Sequence, residues 1–414
     1  MDHRHNVIMK TYRYRSTLGA LLAALACTAA LHPLNTRAVA FRLPNQDPEA
    51  IARGNAFAAT ADNPSAIYYN PAGITQLEGN NARIGLYLVS AGVDYTSPAN
   101  AKASVDGSFQ PVPEIYYVYT PQGSPLSFGF GAYSPYGLAV DWGKDTTFNT
   151  LAEKGKVLYE CFNPVIAWKV HPKFSVAIGP TINYSQANFE RAIGLSPGDS
   201  FKFDGDGMGY GFNAGLRWQP SEHWALGVNY RYETEVEYKG NSETIPYAPA
   251  QSTHGPLLYP QFVVLGLSYR PTPDWNIEVN ADWSDWDKLN QIVFNGTAFG
   301  DIALPLNYRS SWMYEFGVTR QLGKGYFASV GYFFSENSSP DAYFNPIVPD
   351  SDLHLGSVGF GHHGQRWDWA IAYHFGYNPG RTVTGSPLSL TGQSADGTYK
   401  VFNQAVNLAV TLKF

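Results

Sequence analysis

Ten histidines, two cysteines and 34 carboxylates are the chain's raw material for chemistry, and their spacing forms no catalytic or metal-binding pattern. His362-His363 is a candidate metal pair, but it falls in an expected tight turn and reads as solvent-facing. Asp204-Gly-Asp206-Gly starts like a calcium loop and then lacks the later Asp/Asn position and the closing Glu, so it reads as a turn. There is no G-x-S-x-G, no H-E-x-x-H and no phosphate-binding glycine loop. A Ser/His pair assembled across strands is left as the one enzymatic alternative. Otherwise the chain reads as a non-enzyme without a cofactor.

Composition sets the class. Of 414 residues only 15% are charged, while aromatics reach 15%, with 28 Tyr and 10 Trp. An ordinary soluble domain is roughly 25% charged. The first forty residues stand apart. Arg4, Lys10, Arg13 and Arg15 precede an apolar stretch from Leu18 to Leu31, and Ala38-Val39-Ala40 closes it. This is the layout of a cleaved signal peptide. Cys27 allows a lipoprotein alternative, with a weak match before it. Beyond residue 40 the chain has 23 basic and 33 acidic residues, a net charge of −10, which argues against nucleic acid as a partner. Cys161 is then the sole cysteine, so no internal disulfide is expected.

The elements that must position any site are strands. From residue 81 apolar and polar residues alternate. In Trp275–Trp283, Trp, Ile, Val, Ala and Trp share one face, and Asn276, Glu278, Asn280 and Asp282 the other. Trp224–Tyr232 and Trp367–Tyr377 repeat the pattern. Fourteen such segments start near Ala82, Glu114, Leu126, Val157, Phe174, Gly207, Trp224, Gln261, Trp275, Arg309, Tyr326, Asp352, Trp367 and Gln404. Short connections (such as His171–Lys173 and Gly323–Gly325) alternate with long ones (such as Ser134–Lys156, Lys239–Pro260 and Trp286–Tyr308). That asymmetry, with aromatics at strand ends, marks an outer-membrane barrel with periplasmic turns and extracellular loops. The last strand ends on Phe414, a form that suits recognition by the outer-membrane assembly machinery.

The expected fold is therefore an all-β, 14-stranded antiparallel transmembrane barrel over residues 81–414. A small, partly helical N-terminal hatch over 41–80 plugs it, and residues 1–40 are removed. Pro48–Ala61 reads as a short helix stopped by Asp62-Asn63-Pro64; SAIYYNPAGI (65–74) reads as a rigid turn rather than helix or strand. A barrel of this size would be open without the hatch. The alternatives are a gated transporter and a general porin for polar solutes with a loose tail.

Four stretches carry a family resemblance: ARGNAFAATADNPSAIYYNPAGITQLEG (52–79), SPYGLAVDW (134–142), NYSQANFERAIG (183–194) and NPIVPDSDLHLGSVGFGHH (345–363). In this order they resemble the FadL family (OMPP1/FadL/TodX) of outer-membrane transporters for long-chain fatty acids and other hydrophobic compounds. Phe41 lacks the preceding Gly common in the family. The resemblance implies passive, hatch-gated diffusion of a long-chain fatty acid or aromatic hydrocarbon, with lateral exit through the wall. It assigns Asn70, Pro71 and Ala72 to the gating hatch, and Pro135, Tyr136 and Gly137 to the lateral opening. Arg191 would meet a ligand carboxylate, with Arg217 and Arg231 as weaker candidates; Phe57, Ile67, Tyr68 and Ile74 would line the pocket. The implied setting is a monomer among outer-membrane lipid and lipopolysaccharide. On this reading Asn70-Pro71-Ala72 rests near Tyr136-Gly137 and satisfies the backbone of the opening.

Overall fold

The computed structural model describes residues 42–414; the signal-peptide reading, Cys27 and Phe41 lie outside the described residues. All strand segments join one sheet, which merges into a closed antiparallel barrel of 14 strands. These are β1 (Gly79–Thr96), β2 (Lys102–Val105 and Gln110–Thr120), β3 (Leu126–Tyr133 and Gly137–Asp141), β4 (Lys154–His171) and β5 (Phe174–Arg191). Next come β6 (Ser200–Trp218), β7 (Trp224–Arg231 and Thr234–Ile245), β8 (Ala248–Tyr259 and Phe262–Tyr269) and β9 (Trp275–Ser284 and Gln291–Thr297). The last are β10 (Gly300–Pro305 and Ser311–Gly323), β11 (Tyr326–Ser335), β12 (Leu353–His363), β13 (Trp367–Tyr377 with Arg381–Val383) and β14 (Gly397–Lys413). Closure comes from β1 against β14, in register from Asn81↔Lys413 to Thr96↔Thr398.

The barrel is apolar outside and polar inside. Val279, Ile371, Tyr373, Leu408 and Val410 are exposed, while Glu278, Asn280, Asp282, Asn407 and Thr411, alternating with them, are buried. A wall immersed in lipid needs this inverted arrangement, and its closed ladder leaves no backbone edge in hydrocarbon.

Residues 42–78 pack inside the barrel. Helix α1 (Pro48–Ile51) is capped by Asp47, whose carboxylate accepts from Glu49 N at 2.9 Å. The helix expected to run to Ala61 stops after one turn. Gly54 and Asn55 adopt left-handed φ of 58° and 64°, and the chain continues as turns. Gly54 is also pressed against the wall: a Cβ there would lie 2.5 Å from Tyr332 N. SAIYYNPAGI differs from its reading too. Ala66–Tyr69 forms a second one-turn helix, α2, and Pro71–Gln76 a 3-10 helix, with the extended Asn70 between them. Proline at the first position of that 3-10 helix sacrifices no hydrogen bond.

Two long connections are structured as well. Lys239–Pro260 is mostly β7 and β8 running on as a paired hairpin, and Trp286–Tyr308 holds the paired ends of β9 and β10. Outside the membrane a strand has no lipid face, so the alternation that signals strands is lost. Asp204-Gly-Asp206 lies within β6 and not in a turn.

Candidate functional site

The hatch is held by charges that the polar strand faces send inward. Glu278 of β9 accepts from Ala59 N at 2.8 Å, Thr60 N at 3.0 Å and Arg53 at 3.1 Å, and also from the Thr60 hydroxyl. Arg42 pairs with Asp282 through two hydrogen bonds of 2.7 Å. Arg83 of β1 bonds Asp47 at 2.5 Å and lies 3.1 Å from Glu49, whose other oxygen meets His363 at 2.9 Å. His363, expected in a solvated turn, therefore ends β12 against the hatch. Three wall asparagines donate to hatch carbonyls: Asn213 to Ile67 at 2.9 Å, Asn229 to Tyr68 at 3.0 Å and Asn280 to Asn55 at 3.2 Å. Paired charges and satisfied carbonyls are what burial of a polar plug requires.

The wall has a seam in β3. The lower part of β3 pairs with β2 from Ile115↔Ala132 to Tyr119↔Phe128. After a break at Ser134–Tyr136 the upper part, Gly137–Asp141, pairs with β4 alone. Pro135 has no amide proton to offer a neighbour, and Gly137 has no side chain to fill the bend. The groups left at this break are met by the start of the hatch. Leu43 N donates to Pro135 O at 2.8 Å, the Gln46 amide donates to Ser134 O at 2.8 Å, and Arg42 forms an isolated bridge with Tyr136. A Cβ on Gly137 would lie 3.1 Å from Leu43. Arg42, Leu43 and Gln46 carried no recognisable signal in the sequence; only their place just before the hatch motif pointed to them.

Asn70, Pro71 and Ala72 lie elsewhere than expected. The Asn70 amide donates to Ala58 O at 2.7 Å and to Leu216 O of β6 at 2.9 Å. Its oxygen accepts from Ala72 N at 3.2 Å, and all three residues crowd Gly215 of β6. This motif fixes the hatch to β6 and does not satisfy the break in β3.

Beside the upper segment of β3 lies an apolar crevice in the lumen, of about 60 Å³, lined by Leu138, Val157, Phe189, Phe203, Leu257 and Phe294. Ile347 and Val348 of the loop before β12 also line it. Typical ligand pockets hold roughly 300 Å³ or more, so a long ligand must part these side chains. Tyr136, Tyr159 and Tyr259 pack edge-on or tilted beside it, with ring centroids 4.5–5.2 Å apart. None of the expected pocket residues lines this crevice. Phe57 packs edge-on to Tyr69 at 5.5 Å, Tyr68 packs on Tyr133 at 5.3 Å, and Ile67 and Ile74 fill the space beside Gly129. Arg191 ends β5 and donates to Thr150 O at 3.2 Å. Arg217 donates to Ala59 O of the hatch at 2.9 Å.

A closed lipid-facing barrel with a charge-anchored plug, an apolar crevice and a seamed wall defines an outer-membrane transport channel. The chain belongs to the outer membrane protein transport protein family (OMPP1/FadL/TodX), whose family model matches residues 29–414. It is 21% identical to the long-chain fatty acid transport protein of Salmonella typhi, over 81% of this chain and 87% of that one. A FadL homologue from Pseudomonas aeruginosa shares the fold with a TM-score of 0.81 at 16% identity, over 91% of this chain and 100% of that one. The Ralstonia pickettii toluene transporter TbuX does so at 0.69 and 16%, over 90% and 100%. The protein is an outer-membrane transporter of hydrophobic compounds and not an enzyme.

Proposed function

We propose that the protein passes long-chain fatty acids, or amphiphiles of similar length, by passive diffusion from the apolar crevice to the seam in β3 and out into the membrane. The observation that carries this is the seam itself. Gly137–Asp141 registers on β4 alone, and the adjoining break is closed by hatch residues 42–46. A gap in a membrane wall leaves backbone groups without partners, which hydrocarbon does not tolerate. Closure by a separable segment turns that weak point into a gate. Lateral release also suits the cargo: keeping apolar surface out of water is favourable by roughly 25 cal/mol per Å², so an aqueous exit is the costlier route. The hatch acts as a moving part through its N-terminal arm, while Asn70-Pro71-Ala72 supplies the fixed end on β6.

Reconstituted protein tests this reading. Proteoliposomes are expected to take up labelled oleate and to swell slowly in arabinose, with labelled toluene ranking the aromatic alternative. Rapid sugar-driven swelling without oleate uptake would identify a general porin instead.

A further inference from the structure

Besides the apolar crevice, cavities follow one another along strands β9, β10 and β11. The lowest, about 120 Å³, reaches the turn at Arg270–Asp274 and is lined by Asn276, Thr319 and Ser329. The middle one, about 100 Å³, is lined by Ser284, Ser311 and Ser335 beside Met313 and Phe333. A wider one, about 680 Å³, opens among the outer loops and shares Glu336 and Ser338 with the middle one. Strand register stacks them. Asn276, Thr319 and Ser329 form one row across the three strands, and Asp282, Met313 and Ser335 form a row further up. Between them stand the rows Glu278–Gly317–Gly331 and Asn280–Glu315–Phe333. Neither Gly317 nor Gly331 leaves room for a Cβ against Arg53 and Gly54, so hatch backbone closes that side. The way between the lowest and middle cavities is therefore over β9, among the side chains of Glu278, Asn280, Asp282 and Glu315.

This belt is polar and incompletely satisfied. Asn280 Oδ1, Arg42 Nε and Arg53 Nε are buried without a hydrogen-bond partner among the described residues. Arg42 lines the middle cavity and Arg53 the lowest. Buried polar atoms beside a polar space are ordinarily satisfied by water. Glu315 accepts from Asn280 at 2.7 Å and forms no ion pair among the described residues. Three carboxylates, Glu278, Asp282 and Glu315, thus stand against the two guanidiniums of Arg53 and Arg42. The same sign prevails above: Glu336 and Asp350 face Arg42 in the middle cavity, and Glu336, Asp341 and Asp352 face Arg309 and Arg381 at the mouth. In the lowest cavity Glu49, Asp62 and Asp274 are balanced by Arg53, Arg270 and His363. Carboxylates lining a pore favour cations.

We propose that this column is a second permeation path, for water and small monovalent cations, separate from the route of hydrophobic cargo. Its narrowest point is the belt, and the carboxylate of Glu315, which has no base of its own, is the group that draws a cation into it. The inner cavities hold a few waters each, at roughly 30 Å³ per water, so the path passes ions and not sugars. It therefore agrees with slow swelling in arabinose. It needs no movement of the hatch arm, because the seam lies in β3 and the column follows β9–β11.

The test is a planar bilayer holding the purified full chain, with K⁺ and Cl⁻ currents separated by the reversal potential in a KCl gradient. The wild-type protein is expected to conduct, with at least about a tenfold preference for K⁺. Glu315→Gln should reduce that preference at least about threefold, because one belt carboxylate is gone. Thr319→Leu and Ser335→Leu fill the lowest and middle cavities. Each should lower K⁺ conductance at least about fivefold while oleate uptake into proteoliposomes changes less than about twofold. A wild-type bilayer that conducts no better than lipid alone, or that carries Cl⁻ as readily as K⁺, overturns the proposal, and neither result depends on a folded variant. Unchanged K⁺ conductance in both leucine variants overturns it too, since the current then runs elsewhere. Oleate uptake falling in step with conductance would overturn the separation of the two paths. Absent oleate uptake by the wild-type protein would refute the fatty-acid reading and not the cation path, which the K⁺ current decides by itself.

Discussion

At the scale of single residues, the hatch is fastened by a few buried charges, and each has a measurable consequence. Glu278→Gln removes the charge that Arg53, Ala59 and Thr60 share. Breaking a buried pair in this way costs about 3–5 kcal/mol, because the remaining charge has no partner. The expected outcome is faster arabinose swelling of proteoliposomes, with the barrel still showing heat-modifiable migration on gels. Glu49 adds a pH response. Burial opposes its charge, yet His363 and Arg83 outweigh that and hold its carboxyl at about 2, below the ordinary 4.5. The native state therefore binds this proton more weakly than the unfolded chain does, and the group stabilises the hatch fully above about pH 4.5. That contribution, about 3 kcal/mol, is lost as pH falls from 4.5 towards 2. Swelling rates should rise as pH falls below about 4.5, and Glu49→Gln should flatten that rise.

At the scale of elements, the hatch docks closely because the wall offers glycine where its backbone arrives. A Cβ on Gly227 of β7 would lie 2.0 Å from Ala58 O, and one on Gly331 of β11 would lie 2.0 Å from Gly54 N. Backbone on both sides leaves nothing flexible to give way. Gly227→Val and Gly331→Val should each lift the hatch from the wall, increasing sugar permeation and protease access to residues 42–78 while the barrel stays folded. A smaller effect than that of Glu278→Gln would show that the contacts are looser than the geometry implies. The strands were readable because lipid on one side and polar lumen on the other enforce a period of two; Trp275–Trp283 shows it in every residue. The hairpins at Lys239–Pro260 and Trp286–Tyr308 escaped because their outward faces meet water and not lipid, so polar residues such as Ser242 and Glu243 stand on both faces even where Leu257 and Phe294 turn inward. Pro135 and Gly137 announced the break in β3. Its partner did not show, since Leu43 acts there through its backbone N–H, which any residue but proline supplies, and Gln46 through a single side-chain amide that forms no pattern. Asn70 was conspicuous, but the sequence could not say which strand it would reach, and it reaches β6.

At the scale of the whole molecule, the account is of a closed barrel whose wall is completed by its own plug. The hatch has a fixed end, Asn70-Pro71-Ala72 on β6, and an arm, residues 42–46, on the seam. On the proposed lateral route, passage of a hydrophobic compound requires the arm to leave the break while the fixed end holds. The most direct measurement is to lock that arm. Arg42 and Tyr136 face each other in an antiparallel bridge. Such partners lie about 4.5–5.5 Å apart at Cα, within the span of a disulfide. In a background lacking Cys161, the double variant Arg42→Cys/Tyr136→Cys should lose oleate uptake into proteoliposomes when oxidised and regain it on reduction. Undiminished uptake by the fully oxidised protein would contradict the account, because the ligand would then leave by a route that the arm does not control.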